Sequence, residues 1–396
     1  MIRKTLSFVC LTAVVVVLAA VPALAATVRY VSPTGMDNPT CDKAHPCQHV
    51  QQAVNVASPG DAVRLAPGTY VEQVTISKNL FVVGAGIDTS TIKAPDTKAL
   101  DSRVETFIVD INAGATVWMG GLTVAGPGGP GGGMNCAPNP ASLDVGVNVY
   151  GGATLNLLFA AVRDVFDVPA SGCQRGDAIS IGSKCFSCPP DVGHANIDHV
   201  IVTNYQKNGI AARGTSTSLL LNHSSIANQP SSVIASNGIE VLNSAVGRVQ
   251  ENIVTGNECN LPSVCGPDPL LQTQASGILS FAADPNTRIE QNKLGSNDIG
   301  IYTDDGILVR DNRLKGNRFE GIYVDSDVTG GRFKNNRTDD GNYGFYVNGG
   351  NNNRYEKNSA HGNSVVDLFW NGLGVGNTFH KNHCGTAAPS KAAWDC

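Results

Sequence analysis

Two short segments place oxygen-bearing and aromatic side chains where they could do chemistry: GIYTDD, residues 300–305, and GIYVDSD, residues 321–327. If the two segments stack, Asp304 and Asp325 approach to about 5 Å, the separation at which retaining glycosidases set a nucleophile against an acid/base. Asp305 and Asp327 add hard oxygens, so the four carboxylates together have the composition of a site for one calcium ion. Calcium on a uronic acid carboxylate would acidify the adjacent C–H. Arg310 or Arg313 would then be the base of a β-elimination, provided the fold turns one of them to that face. Aspartates crowd ordinary turns as well, so a merely solvated turn is the competing reading.

The same frame repeats beyond these segments. Two places after the leading glycine stand Tyr302, Tyr323, Tyr346 and, in a degenerate repeat, Phe369; at four places stand Asp304, Asp325, Asn348 and Asn371. In an extended strand the residues at one and three places point inward (Ile301 and Thr303, Ile322 and Val324), which sends the aromatic and amide positions outward. An outward stack of rings edged by carboxylates and amides suits a sugar chain: ring faces cover the apolar side of a pyranose and edge groups take its hydroxyls. Aromatic residues also favour strands for packing alone, which leaves a structural reading open beside the binding one.

The element that positions these side chains is a repeat. Asn252, Asn292, Asn312, Asn336, Asn358 and Asn382 recur mostly at steps of 20 to 24 residues, followed by Asn257, Asn297, Asn317, Asn342 and Asn363. Three places before each first asparagine is an apolar residue: Val249, Ile289, Val309, Phe333, Tyr355 and Phe379. The period implies a solenoid. Short apolar alternation without a sustained 3.6-residue period excludes helical repeats. The expected fold is therefore all-β, a right-handed parallel β-helix of about 22 residues per coil, its coils stacked about 4.8 Å apart. The asparagines are expected to take the left-handed backbone conformation of tight turns and to join their amides into ladders. His199 is expected to replace an asparagine in such a ladder.

The ends and the cysteines bound the rest. Arg3 and Lys4, the uncharged run Leu6–Ala20 and Ala23-Leu24-Ala25 predict a secretory signal peptide over residues 1–25. Residues 26–62 are expected to form an N-terminal cap with a short amphipathic helix at Val50, Ala53, Val54 and Ala57, residues 63–383 the β-helix, and residues 384–396 a C-terminal cap carrying Trp394. Of 11 cysteines, Cys10 leaves with the signal. The others suggest disulfides that pin loops: Cys41 with Cys47, Cys185 with Cys188, Cys259 with Cys265, Cys384 with Cys396, and by remainder Cys136 with Cys173, although spacing leaves the connectivity open. Residues 126–140, rich in glycine and proline, are read as a loop that leaves the coil. The formal charge of −5 and the lack of a basic run argue against nucleic acid. No later segment is apolar enough to span a bilayer, and a secreted or periplasmic monomer is expected.

YVSPTG, HVQQAVNVASPGDAVRLAPGTYVEQVTI and LFVVGAG, residues 30–86, resemble the opening of bacterial right-handed β-helix proteins and, more distantly, of pectin methylesterases. NYQKNGI and SNGIEV resemble later coils of secreted repeat proteins of the pectate-lyase-like superfold. The resemblance spans nearly the whole chain after residue 25 and implies the fold, while the superfold hosts lyases, hydrolases, esterases, epimerases and inert stalks. RGDAISIGS resembles the Gly-Asp-Asp segment of polygalacturonases, which marks Asp177 as a catalytic candidate, and GHA resembles their Gly-His-Gly at His194. One carboxylate stands where that family has two, and its remaining catalytic segments are missing. The function expected is binding of an acidic or neutral polysaccharide, with lyase or hydrolase cleavage as its catalytic form and calcium as a candidate cofactor. The competing class is a non-catalytic structural or adhesive surface protein.

Overall fold

The computed structural model describes residues 27–185, 188–268 and 270–396; the expected signal peptide lies outside them. Three parallel sheets of 13, 12 and 12 strands run the length of the molecule. Sheet A starts at Val28–Val31, sheet B at Gly68–Val71 and sheet C at Val74–Ile76. One coil visits C, A and B in turn: Ile299–Thr303, Leu308–Arg310, Arg313–Lys315, and then Glu320–Val324 back in sheet C. This is the right-handed parallel β-helix that the period implies. Because Val28–Val31 pairs with Ala62–Leu65, the first rung already lies within the segment read as the N-terminal cap.

Register places like residues in files. Ile278, Ile301, Ile322, Phe345 and Leu368 line the inner face of sheet C, and Val249, Ile289, Val309, Phe333 and Tyr355 that of sheet A, all buried. Apolar alternation with period two buries one file per strand, and stacking joins the files into one core.

The asparagine ladder runs at the corner between sheets A and B. Asn292 Nδ2 donates to Asn312 Oδ1 at 3.1 Å and to the Val249 carbonyl at 2.9 Å, while the Asn292 amide N–H donates to Asn312 Oδ1 at 2.9 Å. Asn312, Asn336 and Asn358 repeat the scheme up to Asn382. Each buried amide therefore uses both donors and a doubly accepting oxygen. The left-handed residue is not the ladder asparagine but the one before it: Glu251, Gln291, Asp311, Asn335, Lys357 and Lys381 have φ of 57°, 59°, 58°, 53°, 55° and 52°. The asparagine instead fills the space inside the turn that its neighbour makes.

His199 belongs to this left-handed file, with φ of 54°. Val200 holds the ladder position, its amide donating to Ser224 Oγ. In the second ladder Asn257 donates to Asn297 and Asn297 to Asn317. Next in register is Gly341, whose amide donates to Asn363 Oδ1 at 3.0 Å, so Asn342 stands one residue outside.

Both ends are covered. Helix α1, Val50–Val56, buries Val50, Ala53 and Val54, and its first two amides are held by the Glu72 carboxylate at 2.8 Å each. Helix α2, Lys391–Trp394, inserts Trp394 against Phe345, Tyr355 and Phe379. All five expected disulfides are formed. Among the described residues no helix is long and apolar enough to cross a membrane.

Candidate functional site on the outer face of sheet C

Sheet C carries the candidate residues, and register assembles most of them. Tyr302, Tyr323, Tyr346 and Phe369 are direct partners on successive rungs. Their rings stack along the solenoid: Tyr302 on Tyr323 at 5.2 Å and 9°, Tyr323 on Tyr346 at 5.4 Å and 19°, Tyr346 on Phe369 at 4.6 Å and 38°. Such stacking consumes the ring faces. Tyr323, only 2% exposed, is covered on both sides by its neighbours, and Tyr343 meets Tyr346 edge-on at 5.1 Å. The expectation that ring faces receive a pyranose is therefore corrected. Period-two alternation sends the side chains outward, but rungs about 4.8 Å apart press their faces together and leave only edges and hydroxyls toward solvent.

Beside the rings runs a half-buried polar file of Asp304, Asp325, Asn348 and Asn371. The Tyr302 hydroxyl donates to Asp325 Oδ2, Asn348 Nδ2 donates to the Tyr323 hydroxyl at 3.3 Å, and Asn371 Nδ2 donates to Asn348 Oδ1 at 3.0 Å. Burial raises the Asp304 carboxyl to about 7, helped by the charges of Asp305 and Asp325 and opposed by the Ala282 amide that donates to it. Asp305 is pushed up as well, again chiefly by burial. Burial thus favours a proton shared within the Asp304–Asp305 pair, one rung from Asp325, which accepts from a phenol.

The other candidates fall elsewhere. Asp304 Oδ1 and both Asp305 oxygens are turned onto the preceding coil, toward the amides of Ala282 and Ala283 and the Ser280 hydroxyl, while Asp327 is exposed. No three of Asp304, Asp305, Asp325 and Asp327 bring carboxylate oxygens within 4.8 Å of one another. Arg310 lies on sheet A and Arg313 on sheet B, which removes both as bases for an elimination on sheet C.

Asp177 does lie in sheet C, but four rungs away at Asp177–Gly182, about 19 Å along the stack. There it binds Arg213 at 2.8 Å and accepts from Asn208 at 2.8 Å. Arg213 also pairs with Glu240 at 2.5 Å, and these two anions keep the buried guanidinium firmly protonated. Asp177 is thus a counter-ion in a buried triad. His194 is on sheet A, bonded to Ser218 Oγ at 2.8 Å.

One residue escapes a reading by files. Glu320, at Tyr302's rung plus one, is fully buried, and burial together with Asp298 raises its carboxyl to about 9. Gln274 and Asp268, in the insertion between Thr255 and Ser276, act on this carboxyl, Gln274 by a hydrogen bond. This insertion is tied to the coil where the amides of Cys259 and Ala275 donate to Asp298 Oδ2 at 2.9 Å each and Arg318 pairs with Asp298 at 2.6 Å. The length of that insertion and its cysteine pair were the available signals.

A family model described as "Right handed beta helix region" matches residues 190–385. No curated protein matches the chain by sequence. Among solved structures, the GH136 lacto-N-biosidase from Eubacterium ramulus is similar with a TM-score of 0.63 at 13% identity, over 90% of this chain and 68% of that one. XylC in complex with xylose is similar with a TM-score of 0.54 at 11% identity, over 84% of this chain and 75% of that one. At these identities the likeness is one of fold, and it agrees with the three-sheet register: the chain is a right-handed parallel β-helix protein.

Proposed function

We propose that the protein binds a neutral polysaccharide along the outer face of sheet C, over Asp304, Asp325, Asn348 and Asn371 and the ring edges beside them. The observation that carries this reading is that file itself, with one half-buried polar group on each of four successive rungs. The rung spacing of about 4.8 Å is close to the length of one pyranose residue in an extended chain, so successive sugars meet equivalent groups. Carboxylates at one end of the file disfavour a polyanion. The scaffold accommodates sugar partners elsewhere, as the names of the lacto-N-biosidase and the xylose complex state. Five disulfides support an oxidising, extracytoplasmic location.

A hydrolytic role at the same site is favoured by the register that sets Asp304 one rung from Asp325, with burial raising the Asp304 carboxyl to about 7. A protonated carboxyl and a nearby carboxylate are the pair that glycoside hydrolysis requires. The alternative is a non-catalytic structural or adhesive protein whose outer face is only solvated. The test mixes the purified protein with a panel of neutral and acidic polysaccharides, with and without calcium. New reducing ends that vanish in Asp304→Asn and decline above pH 7 support hydrolysis. Retardation without products supports binding alone, and unsaturated products would contradict the hydrolytic reading.

A further inference from the structure

The left-handed file at the corner between sheets A and B gathers side chains of a different kind. Phe159, His199, His223 and Glu251 occupy equivalent positions on successive coils, with φ of 48°, 54°, 45° and 57°. This conformation directs each side chain out of the corner, one above the other. The His199 ring lies 4.9 Å above Phe159 and 5.0 Å from His223. Asp198 precedes His199 and reaches both imidazoles: His199 Nδ1 is 2.9 Å from Asp198 Oδ2, and His223 Nδ1 is 2.8 Å from Asp198 Oδ1. Ligand atoms of Asp198, His199 and His223 all lie within 4.8 Å of one another.

We propose that Asp198, His199 and His223 form a binding site for a divalent transition cation of the zinc class, with Glu251 as a positioning residue. Imidazole nitrogen with carboxylate oxygen is the donor set that zinc and its neighbours take, whereas calcium and magnesium prefer oxygen alone. Ligand atoms 2.0–2.2 Å from a tetrahedral zinc are about 3.4 Å apart, so the close contacts need to open only slightly around the ion. His223 has a second partner: its Nε2 is 3.1 Å from Glu251 Oε2. A carboxylate on the distal nitrogen fixes the tautomer and ring orientation of a metal-binding histidine. Phe159 supports the other ring from below. Three protein donors leave a fourth position open, and both histidines are solvent-exposed, so water or a donor from another molecule completes the shell.

The test is calorimetric titration of the intact, metal-stripped protein with zinc chloride at pH 7.5, repeated with cobalt(II) to read the visible spectrum of the site. One equivalent of zinc is expected. His199→Ala and His223→Ala should each weaken binding at least tenfold and remove the cobalt spectrum, Glu251→Gln should weaken it about 10- to 100-fold, and Asp304→Asn should leave it unchanged. Melting curves recorded without metal check that the variants fold. Absence of zinc binding by the intact protein, or undiminished binding by the His199→Ala/His223→Ala double variant, overturns the proposal.

Discussion

Glu320 keeps its proton in the folded protein because its carboxyl is buried next to Asp298, and this has a stability consequence that can be read as a function of pH. Its folded value of about 9 lies above the ordinary value of 4.5, so the folded state binds the proton more tightly than the unfolded state does. The stabilisation is fully present below pH 4.5 and is lost as pH rises toward 9. Glu320→Gln removes this dependence. It should match the parent near pH 5 and exceed it in stability at pH 8 by about 4 kcal/mol, roughly 1.4 kcal/mol for each pH unit between them, measured by thermal melts at the two pH values. Equal melting temperatures at pH 8 would show that the carboxyl finds water or a cation in the folded state. At this scale the sequence was least legible. Alternation showed which side Tyr323 faces, but not the plane of its ring, and it gave no sign that Glu320 would be buried beside Asp298.

At the scale of the element, the asparagine ladder explains how the corners hold. A buried amide in the middle of the file serves four hydrogen bonds, and deleting it strands donors and acceptors on both neighbouring coils. Asn312→Leu should therefore cost about 2–5 kcal/mol, measured by chemical denaturation, since each stranded buried group costs about 1–3 kcal/mol. Asp311→Asn, at the half-buried left-handed position beside it, should be near neutral because asparagine tolerates that conformation. The ladder was legible because it demands one residue type at one period. The turn residue was not, because its side chain points away from the core and its type varies freely from Glu251 through Gln291 and Asp311 to Lys357. Hence the left-handed conformation was read one position late, and His199 was misplaced with it.

For the whole molecule, stacking makes stability nearly one-dimensional: each coil depends on its neighbours, and the ends need covers. Trp394 is the cover at the C-terminal end, packed on Tyr355 and Phe379 and held near the coil by the Cys384–Cys396 bond. Trp394→Ala should cost about 3–5 kcal/mol, confined to the last coils. Hydrogen exchange should show lost protection from about residue 350 onward, with the coils around Asp177 unchanged; uniform loss of protection would show that the solenoid unfolds as one unit. The fold was legible at this scale because the period encodes it directly, and the close cysteine spacings suggested the pairs that form, although spacing alone left the connectivity open. The candidate surface was half legible. Register delivered the file from Asp304 to Asn371, while the positions of Asp177, Arg310 and Arg313 depended on which sheet and rung the chain had reached.

Binding along that file is tested most directly by affinity electrophoresis of the intact protein through gels containing neutral polysaccharides, comparing the parent with the Asp325→Ala/Asn348→Ala variant, both half-buried on the outer face. The expected result is retardation of the parent by at least one polysaccharide and loss of that retardation in the variant, with an unchanged melting temperature. Retardation that survives the double substitution, or none across the panel, would contradict the assignment.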